Sequence, residues 1–244
     1  MIRALAAAFA AIVATPAFAV DCAAAMFEGH RYTICEVDPA ADDLRLFRAD
    51  AEGRPWGSFV ALEAAMGRLA FAMNGGMYHQ DRTPAGLYIE EGHQEMRLVT
   101  SAGPGNFGLL PNGLLCIGDG RADVIETLAF QADPADCRFA TQSGPMLVID
   151  GELHPRFLPD SDSRNIRNGV GTSADGGRTV FAIADEPVTF FEFGRLFQIG
   201  LGLPQALYLD GRVSRLHAPS LGRSDPGLEM GPIIAVVDHE EAGG

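Results

Sequence analysis

Hydrophobic residues in this chain fall into short runs closed off by glycine, proline, asparagine or aspartate. That rhythm predicts strands joined by tight turns. Arg31 to Val37 and Leu44 to Arg48 read as two strands around the polar turn Asp38-Pro39 to Asp43. Leu69 to Met73 is an apolar strand that stops at Asn74-Gly75-Gly76. Two glycines there allow either a sharp turn or close approach of the backbone to a ligand. From Pro84 the pattern becomes a series of hairpins. Gly86 to Glu90 is turned by Glu91-Gly92. Phe107 to Leu110 and Leu114 to Ile117 flank Pro111-Asn112-Gly113, where Asn-Gly suits a two-residue turn with positive φ. Val124 to Phe130 reads as another strand. Met146 to Ile149 and Leu153 flank Asp150-Gly151, and Val170 to Ser173 and Thr179 to Ala184 flank Asp175-Gly176-Gly177. Ala206 to Leu209 and Pro232 to Val237 complete the strands. Arg212 to Pro226 is loop-like, and Asp238 to Gly244 is a tail expected to fray.

Two stretches have a helical period instead. In Trp56 to Met66, Phe59, Leu62 and Met66 recur at near-helical spacing and Ser58 is placed to cap them. In Thr189 to Gly200, Thr189 and Glu192 fit a capping box, and Phe190, Phe193 and Phe197 form an apolar stripe for core packing. Gly200 or Gly202 ends that helix and Pro204 blocks its continuation. The class is therefore α+β: mixed, largely antiparallel sheets with a few packing helices, in a single domain.

The N-terminus changes this picture only for residues 1–19. Arg3, the apolar stretch Ala4 to Ala14 and the small residues of Ala17-Phe18-Ala19 have the form of a secretory signal, leaving a domain at 20–244. No later stretch reaches the roughly 18 consecutive apolar residues of a spanning helix, so no membrane insertion is expected after signal cleavage. The expected location is periplasmic or secreted. Four cysteines behind a signal suggest two disulfides, with three possible connectivities. The most local, Cys22–Cys35 with Cys116–Cys137, is preferred. Eighteen basic residues, all arginine, against 32 acidic ones give a net charge of −14, which argues against nucleic acid or an anionic membrane as partner. An anionic substrate must be held by local arginines. A monomer is expected.

Candidate chemistry concentrates in two stretches. Gln142 to Gly171 contains a short strand and then a polar run from Pro159 to Asn168, the composition of a surface loop that is either plain or functional. Ala206 to Ser214 runs an apolar strand into Asp210-Gly211, which suits either chemistry at a strand end or a tight turn. There is no Gly-x-Ser-x-Gly elbow, His-Glu-x-x-His, P-loop or dinucleotide fingerprint. Asp160 to Asn165 starts like a calcium loop but lacks its glycine and final acid. With no Cys-x-x-Cys and scattered histidines, no cofactor or metal is expected.

In order along the chain, Asn74-Gly75-Gly76-Met77-Tyr78, Pro84-x-Gly86-Leu87, Gln142-Ser143-Gly144-Pro145, Arg167-Asn168-Gly169-Val170-Gly171, Glu192-Phe193-Gly194 and Leu209-Asp210-Gly211 with Ser214 resemble the phosphodiester glycosidase family, that of the lysosomal uncovering enzyme. These segments span roughly residues 70–216. Many relatives carry a glycine-rich run after the strand aspartate, ending in serine. Here it reads Asp210-Gly211-Arg212-Val213-Ser214, which suits a bacterial branch. The resemblance implies a cleft built from these segments and hydrolysis of a sugar–phosphate diester at the sugar carbon. It makes the partner a small-molecule or oligosaccharide sugar-phosphate substrate.

Such a reaction develops oxocarbenium character and expels a phosphate monoester, so it needs a carboxylate at the anomeric carbon and a cation at the phosphate. Asp210 is the candidate carboxylate and Arg167 the candidate phosphate clamp, with turn chemistry and a structural ion pair as the alternatives. Asp185, at the end of Thr179 to Ala184, is a second carboxylate to test. Glu192 is either catalytic or only the cap of its helix, and His79 either a proton donor or polar surface. Backbone N–H groups of Gly75 and Gly76, and the side chains of Asn74 and Gln142, are expected to bind substrate. Ser143, Gly144, Asn168, Gly211 and Ser214 are expected along the same cleft. An exported sugar-1-phosphate diester hydrolase is the first reading. The second is a non-catalytic glycan or phosphoglycan-binding protein, and the third a calcium-dependent envelope protein.

Overall fold

A computed structural model describes residues 20–239. The expected leader at 1–19 and residues 240–244 of the tail lie outside the described residues. In chain order the strands are β1 (Asp21–Phe27), β2 (His30–Val37), β3 (Asp43–Phe47), β4 (Leu69–Asn74), β5 (Tyr88–Glu90), β6 (His93–Met96), β7 (Gly113–Gly118), β8 (Arg121–Glu126) and β9 (Phe139–Ser143). They continue with β10 (Met146–Ile149), β11 (Glu152–Leu153), β12 (Asn168–Thr172), β13 (Thr179–Ala184), β14 (Gln205–Asp210), β15 (Leu216–Ala218), β16 (Arg223–Ser224) and β17 (Ile233–Val237). The helices are α1 (Phe59–Met66), α2 (Thr127–Ala132) and α3 (Phe190–Arg195), the last running on as a π-turn over Leu196–Gly200. Three sheets form, ordered β1-β2-β13-β12-β14-β10-β11, β16-β15-β4-β17-β3 and β6-β5-β9-β7-β8. The strand pairings are antiparallel.

Period-two alternation assigns the two faces of the large sheet. In β13, Phe181 and Ile183 enter a core that also takes Phe71 and Ile234 from the second sheet and Leu115 and Phe139 from the third. Val180, Ala182 and Ala184 point the other way, into the cluster of Phe193 and Phe197 beneath α3. Gly169 and Gly171 make that packing possible. A Cβ on Gly171 would come 2.8 Å from both Phe197 Cδ1 and Leu203 Cδ1, and one on Gly169 would come 3.2 Å from Phe193 Cε1. The glycine spacing in Arg167–Gly171 thus lets an aromatic helix lie on a strand. On the second sheet, α1 packs Phe59 and Leu62 against Leu69, Ile233 and Ala235.

Local signals hold where backbone chemistry is self-contained. Ser58 caps α1 through Ala61 N at 3.2 Å, and Thr189 and Glu192 form the reciprocal capping box. Asp150-Gly151 and Glu91-Gly92 turn with positive φ at both residues. Both local disulfides, Cys22–Cys35 and Cys116–Cys137, are formed.

The expected hairpin at Pro111-Asn112-Gly113 is not one. Phe107 to Leu110 is not a strand, and β7 pairs instead with β8 and β9. Asn112 is fully buried, donating to Phe107 O at 2.8 Å and accepting from Thr127 Oγ1 at 2.7 Å. Gly113 gives room to Met146, whose Sδ would lie 2.4 Å from a Cβ there. Tertiary partners take both residues that the turn pattern needs. Val124 to Phe130 also divides, because Glu126 accepts from Ala129 N at 2.8 Å and caps α2 where a continuing strand was expected. The segment Arg212 to Pro226 carries β15 and β16.

Candidate active site

Three strand ends converge. β14 ends at Asp210, its neighbour β12 begins at Asn168, and β4 of the second sheet ends at Asn74. Asn74 and Asn168 are fully buried and join the two sheets by a reciprocal amide pair, Asn168 Nδ2 to Asn74 Oδ1 at 2.5 Å and Asn74 Nδ2 to Asn168 Oδ1 at 3.3 Å. Each acceptor holds a further backbone donor. Asn168 Oδ1 accepts from Asp210 N at 2.9 Å, and Asn74 Oδ1 from Arg215 N at 3.0 Å. The pair therefore fixes where β14 ends. Both asparagines, expected to bind substrate, lie behind the site as its support.

Asp210 is half-buried. Its Oδ1 accepts from Gly211 N at 2.6 Å and Arg212 N at 2.8 Å, a small nest of backbone donors. Burial raises its carboxyl above the ordinary range, against the pull of those amides and of the Arg212 charge. Among the described residues no side-chain donor or ion-pair partner reaches it. Gly211 is required, since a Cβ there would lie 2.0 Å from Tyr208 Oη.

Asp210, Met77 and Arg212 sit between two lobes of one cleft. The smaller, about 340 Å³, adds Asn106, Asn165 and Tyr208. The larger, about 560 Å³, adds Tyr78, His79, Arg82, Val213 and Leu228. Arg212 is exposed, and its guanidinium makes no hydrogen bond or ion pair with the described residues. Arg82 lies 5.5 Å over the Tyr78 ring centroid and 3.6 Å from Glu229 Oε2.

The remaining expected residues divide by what they touch. His79 lines the larger lobe and is exposed. Arg167 lines neither lobe; at 1% exposure its guanidinium packs 3.6 Å over Phe190, with Nε donating to Val188 O and Nη2 to Ser163 O, both at 2.9 Å. Burial lowers its pKa, opposed by Tyr208, whose ring centroid lies 5.6 Å from the guanidinium beside the Phe190 ring and which also lines the smaller lobe. Arg167 Nη1 is buried without a hydrogen-bond partner.

Gln142 is committed internally. Oε1 accepts from Leu87 N and Val99 N at 3.0 Å, and Nε2 donates to Val99 O at 2.7 Å and Thr127 Oγ1 at 3.1 Å. Gly75 N donates to Pro232 O at 2.6 Å, so it is not a free donor. Gly76, at φ 115°, lies so close to Thr141 Oγ1 that a Cβ would stand 2.8 Å away. Ser143 Oγ donates to Leu209 O at 3.0 Å, and Ser214 Oγ to Ile166 O and Asp210 O at 2.9 and 3.0 Å, while Gly144 packs on Asn112. Asp185 pairs with Arg223 at 2.6 Å and accepts from Thr33. Glu192 takes Arg164 through both oxygens at 2.7 and 2.8 Å while capping α3, and burial is outweighed by Arg164 so that its pKa is lowered. Neither carboxylate lines the cleft.

Sequence reasoning passed over Arg212, Tyr208, Met77, Asn106 and Asn165. Two had a signal. Tyr208 lies two residues before Asp210 on the same strand, hence on the same face, and Arg212 is a cation two residues after it. Among the described residues no group of three His, Cys, Asp or Glu is placed to hold a metal ion. A separate hollow, also about 560 Å³, lies beside Cys116, Arg121 and Asp150 and contains none of the candidate catalytic or substrate-binding residues.

Comparison with known proteins bears on this cleft. The phosphodiester glycosidase family matches residues 67–217. The chain is 35% identical over 243 residues to the uncharacterized protein YigE of Escherichia coli (strain K12), covering 96% of this chain and 92% of that one. In fold it is similar to the catalytic domain of zebrafish N-acetylglucosamine-1-phosphodiester alpha-N-acetylglucosaminidase, auto-inhibited by pro-peptide, with TM-score 0.61 and 14% identity over 90% of this chain and 82% of that one. It is also similar to a hypothetical protein from Synechocystis, with TM-score 0.55 and 12% identity over 88% of this chain and 61% of the other.

Proposed function

The chain belongs to the phosphodiester glycosidase family, and on that premise we propose that it is an exported hydrolase of sugar-1-phosphate diesters acting at Asp210. The observation that carries this reading is a half-buried carboxylate with a raised pKa and no side-chain partner, at the junction of a two-lobed cleft and beside an uncommitted arginine. The leader-like pattern expected at residues 1–19 and the two disulfides support export.

The sugar occupies the smaller lobe, where Asn106, Asn165 and the Tyr208 hydroxyl offer hydrogen bonds to its hydroxyls. The phosphate lies under Arg212, whose planar guanidinium is free to grip two oxygens. Hydrolysis breaks the bond between the anomeric carbon and the bridging oxygen. That oxygen keeps the electron pair and leaves on the phosphate monoester, while a water oxygen bonds the anomeric carbon and releases a proton. Asp210 is the carboxylate that meets this carbon and its developing positive charge. Its backbone donors hold it at a fixed angle, and burial keeps it basic enough to accept a proton. Arg167 acts from behind Tyr208, orienting the hydroxyl and adding positive charge to the field at the phosphate. His79 stands at the mouth, within the lobe that the leaving group vacates. Asp185 and Glu192, committed to Arg223 and Arg164 outside both lobes, take no part in the chemistry.

The test is release of free sugar from a panel of sugar-1-phosphate diesters, run beside Asp210→Asn. Turnover by wild type that is lost in the folded variant supports the reading. Ligand retention without product across the panel would move the cleft to the glycan-binding alternative.

A further inference from the structure

The two lobes differ in what they offer a ligand. In the smaller, polar tips converge. In the larger, the polar groups of one wall are already matched to each other. Tyr78 Oη donates to Glu229 O at 3.1 Å, and Arg82 faces both Glu229 and the Tyr78 ring. The ring cannot retreat, because it packs on Gly231, where a Cβ would come 2.5 Å from its Cγ. Met77, Val213 and Leu228 supply the other surfaces, and Leu228 is 68% exposed. One exposed leucine needs no explanation, but three apolar side chains and the Tyr78 ring lining a cleft that also carries the Arg212 cation form an amphipathic site.

We infer that the larger lobe is a leaving-group subsite for a phosphate monoester carried on an apolar body, an alkyl or prenyl chain in preference to a second sugar. This rests on the hydrolase reading only for the words leaving group; as a binding site it stands on the geometry alone. Arg212 takes the phosphate, and Met77, Tyr78, Val213 and Leu228 cover the first carbons of the chain. A glycosyl group in the same place turns part of its hydroxyl-bearing surface onto Met77, Tyr78, Val213 and Leu228, and at the rim must compete with the Arg82–Glu229 contact for polar partners beside His79 and Gln80.

Calorimetric titration of the purified protein with hexyl phosphate, methyl phosphate and a hexose 6-phosphate tests the site without requiring turnover. Hexyl phosphate is expected to bind about tenfold more tightly than either of the others, the effect of roughly two buried methylenes. Val213→Gly and Leu228→Ala should each shrink the hexyl-to-methyl ratio, and Arg212→Gln should weaken both esters together. Sugar-1-phosphate diesters with hexyl, methyl and glycosyl leaving groups then give the same ranking in KM. Equal affinities, a preference for the hexose phosphate, or no binding of any ester overturns the inference. Selective hexyl phosphate binding without cleavage of any diester sinks the hydrolase reading and leaves the subsite.

Discussion

Gly211→Ala probes the geometry of the site most directly. The new Cβ would stand 2.0 Å from Tyr208 Oη, and ordinary contact begins near 3.4 Å, so about 1.4 Å must be recovered by movement. Tyr208 is poorly placed to supply it. It is buried, it meets the Phe190 ring edge-to-face at 4.7 Å and 78°, and the Arg167 guanidinium lies 5.6 Å from its ring. The displacement therefore falls on the strand end that carries Asp210. Overpacking of this kind costs about 2 kcal/mol, which for a domain of this size lowers Tm by roughly 5 °C. A misplacement near 1 Å at a reacting group costs on the order of a hundredfold in rate. Thermal denaturation and turnover on a sugar-1-phosphate diester read the two effects. Tyr208→Phe supplies the control, because without Oη the next atom, Cζ, lies 3.2 Å from the Cβ. Adding Gly211→Ala to Tyr208→Phe should then cost less than half of what it costs in wild type, a coupling of about 1 kcal/mol. If Gly211→Ala melts and turns over like wild type, or if Tyr208→Phe gives no relief, the argument about this contact is wrong.

Asn168→Ala removes the bond to Asp210 N and leaves the Asn74 amide buried without its partner, which should cost about 1–3 kcal/mol in denaturant titration. The double variant with Asn74→Ala should cost less than the sum of the singles; strict additivity would mean that the amide pair does not couple the sheets. Because burial raises the Asp210 carboxyl in the folded protein, that state holds its proton to higher pH than the unfolded chain. Stability is thus lost as pH rises from the unfolded value of about 4 through the folded one, and the loss persists at neutral pH. Asp210→Asn is accordingly expected to melt above wild type at pH 7, with the gap closing towards pH 3; a variant that melts below wild type at pH 7 contradicts this. Reduction of Cys22–Cys35 and Cys116–Cys137 should lower stability by about 2–4 kcal/mol each, seen as a fall in Tm with reductant, and an unchanged Tm would deny them a stabilising role.

What the sequence determined by itself was local. The hairpin of Val170 to Ser173 with Thr179 to Ala184, the box of Thr189 and Glu192, the Asp150-Gly151 turn and the nearest-neighbour cysteine pairing each depend on residues within about 20 positions of each other, and each forms as read. The ordered motifs also marked the strand ends where the cleft lies, since Asp210, Asn168 and Asn74 do converge there. β6, His93–Met96, has no apolar run of its own and left no signal, because its partner strand completes it. Only the tertiary structure decided the direction of each polar side chain. Asn112 and Gln142 carry the composition of a turn residue and a sugar ligand, yet both are buried with their amide groups matched to partners 5 to 55 positions away. Arg167 and Arg212 are chemically identical, and one is stacked on Phe190 behind the site while the other stands open above Asp210. A side chain's chemistry is written in its residue type. Its availability to a ligand depends on which distant groups satisfy it first, and that is a property of the packed fold.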